Sequence, residues 1–214
     1  MRKCDWLFPT PVMVSKLKDK DADLEICRDL IIESVKDDPV WSKKIHATTQ
    51  DTLHHLPPFK KLVNAIHAEV SYFCNEMLLM DANDLELVSM WANTHKGPST
   101  HVLHMHANSF VSGVVYLQVP ENVTDQYKIE SGKLSFEDPR ECRHVLVPDH
   151  YDQNDAKVEK QRDYETQEGD LILFPSWLKH RVHPFDSGKE FRVSLSFNYM
   201  LTKSSVNTRS FNLF

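Results

Sequence analysis

Along the first third of the chain the apolar positions recur at helical spacing, and along the rest they alternate with polar ones. Between residues 21 and 37, Leu24, Cys27, Leu30, Ile31 and Val35 mark one face of a helix that Pro39 ends. After Pro57 and Pro58 the same period returns in Phe59, Leu62, Val63, Ile66, Val70, Phe73 and Met77, and predicts a second, longer helix with Pro58 suited to its start. From Leu85 onward the texture changes to short β-branched and aromatic runs bounded by Pro, Gly, Asn and Asp. These predict strands at 85–93, 102–105, 110–119, 133–136, 143–147, 170–174 and 190–200, a number that suggests a jelly roll or barrel. The expected class is therefore mainly β with N-terminal helices, in a single domain over 1–214. Residues 1–84 form a helical support, 85–200 the jelly-roll core, and the polar, aperiodic stretch 148–168 an exposed insertion.

Composition narrows the function. With 41% hydrophobic and 26% charged residues the chain is an ordinary globular one, and 5 glycines argue against a nucleotide site built on a glycine-rich loop. A formal charge of −6, with Lys and Arg scattered among more numerous acids, disfavours nucleic acid, which needs a basic surface. No apolar run approaches the length that spans a bilayer, and the N-terminal MRKCDWLFPTP lacks an uninterrupted apolar stretch, so a cytoplasmic protein is expected. Cys4, Cys27, Cys74 and Cys142 form no CxxC pair and are read as reduced thiols. The unusual count is 12 histidines, several of which, including His95, His101, His104, His106 and His180, flank β-like runs.

Three segments carry chemistry. In HVLHMHANSFVSGVVYLQVP, His104 and His106 are two apart, the spacing that puts strand side chains on one face, where both rings can reach one ion. Continued parity adds Ser112 and Tyr116 to that face and sends Val111, Val115 and Leu117 to the other; a bulge at Asn108 would break the inference. An isolated HxH is more often a pair of surface groups. In EGDLILFPSWLKHRVHPF an apolar strand and a turn precede His180 and His183, either of which can complete a three-ligand site with open positions for substrates. Ligand type alone admits zinc as well as iron. In EFRVSLSFNYM, Phe191, Val193, Leu195, Phe197 and Tyr199 alternate with Arg192, Ser194, Ser196 and Asn198. One Arg among small polar residues describes a lined cavity holding an anion, and the planar guanidinium suits a carboxylate. A surface Arg on an edge strand is the competing reading of equal weight.

In type, order and spacing these segments together resemble the 2-oxoglutarate- and Fe(II)-dependent oxygenases. Within them the chain is most similar to a prolyl-4-hydroxylase-like bacterial and phage group with HxHxNSxxSGVxYL and FPSWLxHxVxP signatures. The resemblance runs from about Trp91 to Asn198, includes SGKLSFEDPR, and extends to LFPTPV near the N-terminus. It implies a double-stranded β-helix, the cupin-like jelly roll, and an enzyme using Fe(II), 2-oxoglutarate and O2. His180 matches the distal iron ligand, Arg192 with Ser194 the anchor for the far carboxylate of 2-oxoglutarate, Tyr116 a second cosubstrate contact, and His104 the proximal ligand.

The wider family has Asp or Glu two residues beyond the proximal histidine, where this chain has His106. The implied set is His104, His106 and His180. A register shifted by two, with His106 proximal and Asn108 in the carboxylate position, is the other possibility, and His183 and His101 stand in reserve. Asn93, Asn108, Ser112, His183 and Asn198 are candidates for substrate contact or support of the site. The implied reaction is hydroxylation of an unidentified substrate, a small molecule or a protein side chain such as proline, with succinate and CO2 released. Two other readings share the histidines: a three-His cupin-type dioxygenase that does not use 2-oxoglutarate, and a non-enzymatic metal-binding jelly roll. The first of these does not need Arg192. Oligomeric state has no signature in the sequence.

Overall fold

The structure is a computed structural model that describes residues 8–36, 46–96, 98–120, 132–140, 160–186 and 190–202. The helices lie in the first third of the chain, as the periodicity predicts. The first is divided: a turn at Asp19–Ala22 (α1) ends where Asp23 adopts φ 53°, and α2 runs Leu24–Lys36. Leu24, Cys27, Ile31 and Val35 form its buried stripe, whereas Leu30 is 38% exposed. A 3-10 turn at Pro57–Phe59 leads into α3, Lys60–Tyr72, and the chain continues through one wider, π-type turn at Phe73–Leu78.

Among the described residues ten strands follow or flank the helices: β1 Met13–Lys16, β2 His46–Thr48, β3 Leu85–His95, β4 Pro98–His104, β5 Val111–Gln118, β6 Leu134–Glu137, β7 Gln161–Tyr164, β8 Asp170–Pro175, β9 His180–Asp186 and β10 Arg192–Leu201. They form two antiparallel sheets, one in the order β1-β8-β5-β10-β3-β2 and one in the order β4-β9-β6-β7. This is the expected double-stranded β-helix. The predicted strand 143–147 lies outside the described residues, as does 148–159 of the predicted insertion. Residues 161–164 of that insertion are not a loop but β7, paired with β6 from Leu134↔Tyr164 to Glu137↔Gln161.

The six-stranded sheet is buried on both faces, and its strands carry the alternation that sorts them. Val111, Val115, Leu117, Leu171, Leu173, Val193, Leu195, Phe197 and Tyr199 point outward and join Leu24, Cys27, Ile31, Leu62, Ile66 and Val70 of the helices in one core. Val114, Tyr116, Ile172 and Phe174 point inward toward Leu134 and Phe136 of the smaller sheet. Gly113 marks a close approach on the helix side. A Cβ there would lie 2.6 Å from Leu173 Cδ2 and in hard contact with the Phe197 ring. No helix among the described residues is long and apolar enough to cross a membrane.

Candidate functional site

Between the sheets lies a cavity of about 350 Å³, lined by side chains from both. His104 ends β4, His180 opens β9, and the two are partners in the ladder that joins those strands. His106 is not on a strand. The chain leaves β4 after His104 and turns through Asn108, whose φ of 61° is the left-handed conformation that Asn tolerates better than most residues. The convergence expected from strand parity is therefore achieved by a turn. One ligand atom from each of His104, His106 and His180 lies within 4.8 Å of the others.

Backbone carbonyls set two of these rings. His104 Nδ1 lies 2.7 Å from the Val102 oxygen and His180 Nδ1 lies 2.9 Å from that of Leu178. A neutral ring can only donate in such a contact, which leaves each Nε2 as a lone pair. His106 Nε2 is 3.3 Å from His180 Nε2, with the two ring planes nearly parallel. Phe174 packs 4.6 Å from His180, and Trp91 lies 5.8 Å from His106. Burial pushes the His180 imidazole down to about 3 and that of His106 down to about 4, with neighbouring His104 adding to both. The two rings are thus held neutral, as metal ligation requires.

Arg192 lines the same cavity. It faces His95 across the β10–β3 ladder, while Ser196, four residues on, faces Trp91 beside His106. At about 3.3 Å per residue that is roughly 13 Å along the strand, so guanidinium and imidazoles mark two ends of one space. Arg192 is 3% exposed and no carboxylate among the described residues pairs with it. Its NH2 donates to the Gly132 carbonyl at 3.2 Å, and its guanidinium lies 5.0 Å from the Tyr116 ring centre and 4.9 Å from that of Phe185. Burial lowers the Arg192 pKa, with the Tyr116 hydroxyl acting against it, and burial raises that of Tyr116. Ser194, 5% exposed, lines the cavity beside it.

The other predicted residues divide. Asn93 lines the cavity, accepting from Thr48 Oγ1 at 3.0 Å and donating to Ser196 Oγ at 3.3 Å. Ser112 and Asn198 are bonded to each other at 2.7 Å, outside the cavity lining. Asn108 is exposed in its turn, away from the three rings, because the backbone reverses there before β5 begins. His183 points toward β7, 3.2 Å from Gln161 Nε2 and 3.6 Å from Asp163 Oδ1. His101 lines the cavity and meets the fully buried His95 at 3.0 Å, Nε2 to Nε2. Thr48, Trp91 and Ser196 line the cavity as well, with Gly113, Val114, Leu134, Phe174 and Val182. Ser196 had a readable signal in the polar face of its strand, but the three-residue β2 that brings Thr48 had none.

A double-stranded β-helix holding three converging imidazoles and a sequestered guanidinium in one cavity describes a metal-dependent enzyme with an anionic cosubstrate. A family model described as "Putative 2OG-Fe(II) oxygenase" matches residues 89–198, just over half of the chain, and the protein belongs to that family. It is an oxidoreductase of the class that uses Fe(II), 2-oxoglutarate and O2. No curated protein matches the chain in sequence.

Solved structures share the fold at low identity. A 2OG-Fe(II) oxygenase family oxidoreductase from Burkholderia pseudomallei is 14% identical, with 88% of this chain and 84% of that one covered and a TM-score of 0.58. HygX from Streptomyces hygroscopicus, with nickel and 2-oxoglutarate bound, is 15% identical over 91% and 84%, with a TM-score of 0.56. A prolyl-4-hydroxylase from Pseudomonas putida is 16% identical over 90% and 94%, with a TM-score of 0.53.

The residues present fit the family's cofactors. Nitrogen–nitrogen separations of 3.3 to 4.8 Å suit a single ion at roughly 2.0–2.2 Å from each donor. A buried guanidinium with which no carboxylate among the described residues pairs is the group that a dicarboxylate would neutralise.

Proposed function

We propose that the protein hydroxylates an uncharged aliphatic group, with a protein side chain such as proline as the leading candidate, and that His104, His106 and His180 hold the iron. The carrying observation is that the three imidazoles share one cavity with Arg192, with which no carboxylate among the described residues pairs. Arg192, with Ser194 and Tyr116, receives the far carboxylate of 2-oxoglutarate; the fork of the guanidinium fixes its direction, and the Tyr116 hydroxyl sits beside that fork. Bound iron with 2-oxoglutarate and O2 supplies the oxidation, in which a substrate C–H becomes C–OH while 2-oxoglutarate loses CO2 to give succinate. The chain's own part is to keep the His106 and His180 imidazoles neutral and to line the reacting space with Phe174 and Trp91.

The substrate class follows from charge and volume. Arg192 is the only permanently charged side chain lining the cavity among the described residues. Once it is matched to the cosubstrate, the walls that remain near the metal end are Trp91, Asn93, Thr48 and Ser196, which offer neutral hydrogen bonds and an aromatic face. A charged reacting group would be desolvated there without a partner. The volume stands near the lower end for ligand cavities and must also hold the cosubstrate, which supports a small side chain entering from a larger body. A dioxygenase that dispenses with 2-oxoglutarate has no use for a buried guanidinium.

The test is an anaerobic titration of the Fe(II)-loaded protein with 2-oxoglutarate, following the visible charge-transfer band of a keto acid chelated to Fe(II). A saturable band is expected. Its absence in protein shown to contain stoichiometric iron would refute the assignment.

A further inference from the structure

Outside the cavity lining, four polar side chains form a hydrogen-bonded chain across three strands and a turn. The Ser112 hydroxyl donates to Asn198 Oδ1 at 2.7 Å, and Asn198 Nδ2 donates to Ser89 Oγ at 3.1 Å. The Ser112 oxygen is also 2.8 Å from Ser176 Oγ. A hydroxyl has one proton, and that of Ser112 is committed to Asn198, so Ser176 must be the donor to Ser112. The chain therefore has one direction, from the turn after β8 into β5, β10 and β3. Ser112 and Ser176 are each 1% exposed.

Ser176 also joins the two segments that carry imidazoles. Its carbonyl accepts from the His106 N–H at 3.0 Å, and its own N–H donates to the Phe110 carbonyl at 3.1 Å. It opens the turn in which Leu178 N–H bonds to Pro175 and the Leu178 carbonyl faces His180 Nδ1. The turn holding His106 and the turn leading to His180 thus meet at one residue, whose side chain is tied to the six-stranded sheet.

We propose that Ser176 is a positioning residue for the metal site: its hydroxyl, directed by Ser112 and Asn198, sets His106 against His180. This rests on the assignment of His104, His106 and His180 as metal ligands. Stability alone gives little reason for two facing serines here, since apolar pairs of similar shape can replace buried hydrogen-bonded ones at little cost. Geometry does, because a ligand held by a network fully satisfied on the rigid sheet is ordered before the metal arrives.

Co(II), a spectroscopic stand-in for Fe(II), tests this by competition titration and by its d–d absorption, with folding followed by circular dichroism. Wild type is expected to bind one equivalent. Ser176→Ala and Ser112→Ala are each expected to weaken Co(II) binding about 10-fold or more and to shift the d–d bands, and the double variant to be little worse than either single one. Ser135→Ala is the control, because that serine is also 1% exposed but its hydroxyl has no hydrogen-bond partner among the described residues and lies on β6. It should bind as wild type does. Wild-type affinity and bands in Ser176→Ala would overturn the proposal, as would equal losses in Ser135→Ala. Should Ser176→Ala fail to fold, Ser112→Ala carries the same readout. Failure of wild type itself to bind Co(II) would instead remove the metal assignment, and this proposal with it.

Discussion

Replacing Arg192 by Met should separate cosubstrate binding from folding, because this side chain is buried for reasons the fold itself does not supply. Arg192 is 3% exposed, lacks a carboxylate among the described residues, and is compensated only by the Gly132 carbonyl, the Tyr116 hydroxyl and the faces of Tyr116 and Phe185. The two ring contacts are worth about 0.5–2 kcal/mol. Against them stands the cost of dehydrating a guanidinium, which exchange for an apolar side chain of similar length removes. Without cosubstrate, Arg192→Met should therefore melt at the wild-type temperature or a few degrees above it. With 2-oxoglutarate at 100 times its Kd, metal-loaded wild type should gain about 2.7 kcal/mol. At about 2–4 °C per kcal/mol for a chain of this size, that is a rise of roughly 5–11 °C. The variant should show none of it. Thermal melts of both proteins, with and without 2-oxoglutarate, decide the matter. A full shift in Arg192→Met, or a variant that melts many degrees below wild type without ligand, would refute the reasoning.

Further expectations concern the ligands, the core and the thiols. His180→Ala should weaken metal binding by at least about 100-fold, more than loss of an outer partner does, as read by metal analysis after dialysis. His106→Asp should still load metal, since it supplies the carboxylate that the wider family carries, whereas His106→Leu should not. Gly113→Ala should cost about 1–3 kcal/mol through overpacking against Phe197 and Leu173, a fall of roughly 2–12 °C in Tm, with metal stoichiometry unchanged. Burial pushes the Cys27 and Cys74 thiols up to about 11, so roughly one in a thousand is thiolate at pH 8. Mass mapping after alkylation at that pH should find both unmodified in the folded protein and modified in denaturant.

How far the sequence foretells this structure differs from strand to strand for physical reasons. β10 is legible because both its faces are enclosed by different surroundings, so that Val193, Leu195, Phe197 and Tyr199 face the helices while Arg192, Ser194 and Ser196 face the cavity. β9 is not. Residues 180–186 were not among the expected strands, and Pro184 is tolerated in β9 because β6 pairs only as far as Val182 and the ladder with β4 shifts register between Ser99 and His101. β7 is equally silent, since Gln161–Tyr164 has no apolar alternation and is a strand by virtue of its pairing with β6. In the site, the type and order of His104, His106, His180 and Arg192 were readable. The turn that brings His106 inward, and the exposure of Asn108 that goes with it, depend on backbone conformation, which spacing does not encode.

The depth of Arg192 has a consequence for binding as well. A guanidinium that is 3% exposed and lines the same cavity as the imidazoles places any carboxylate paired with it inside that cavity, so cosubstrate and prime substrate draw on one volume of about 350 Å³. Their affinities should then be linked: the Kd of each should change when the other is present, and by the same factor in both directions.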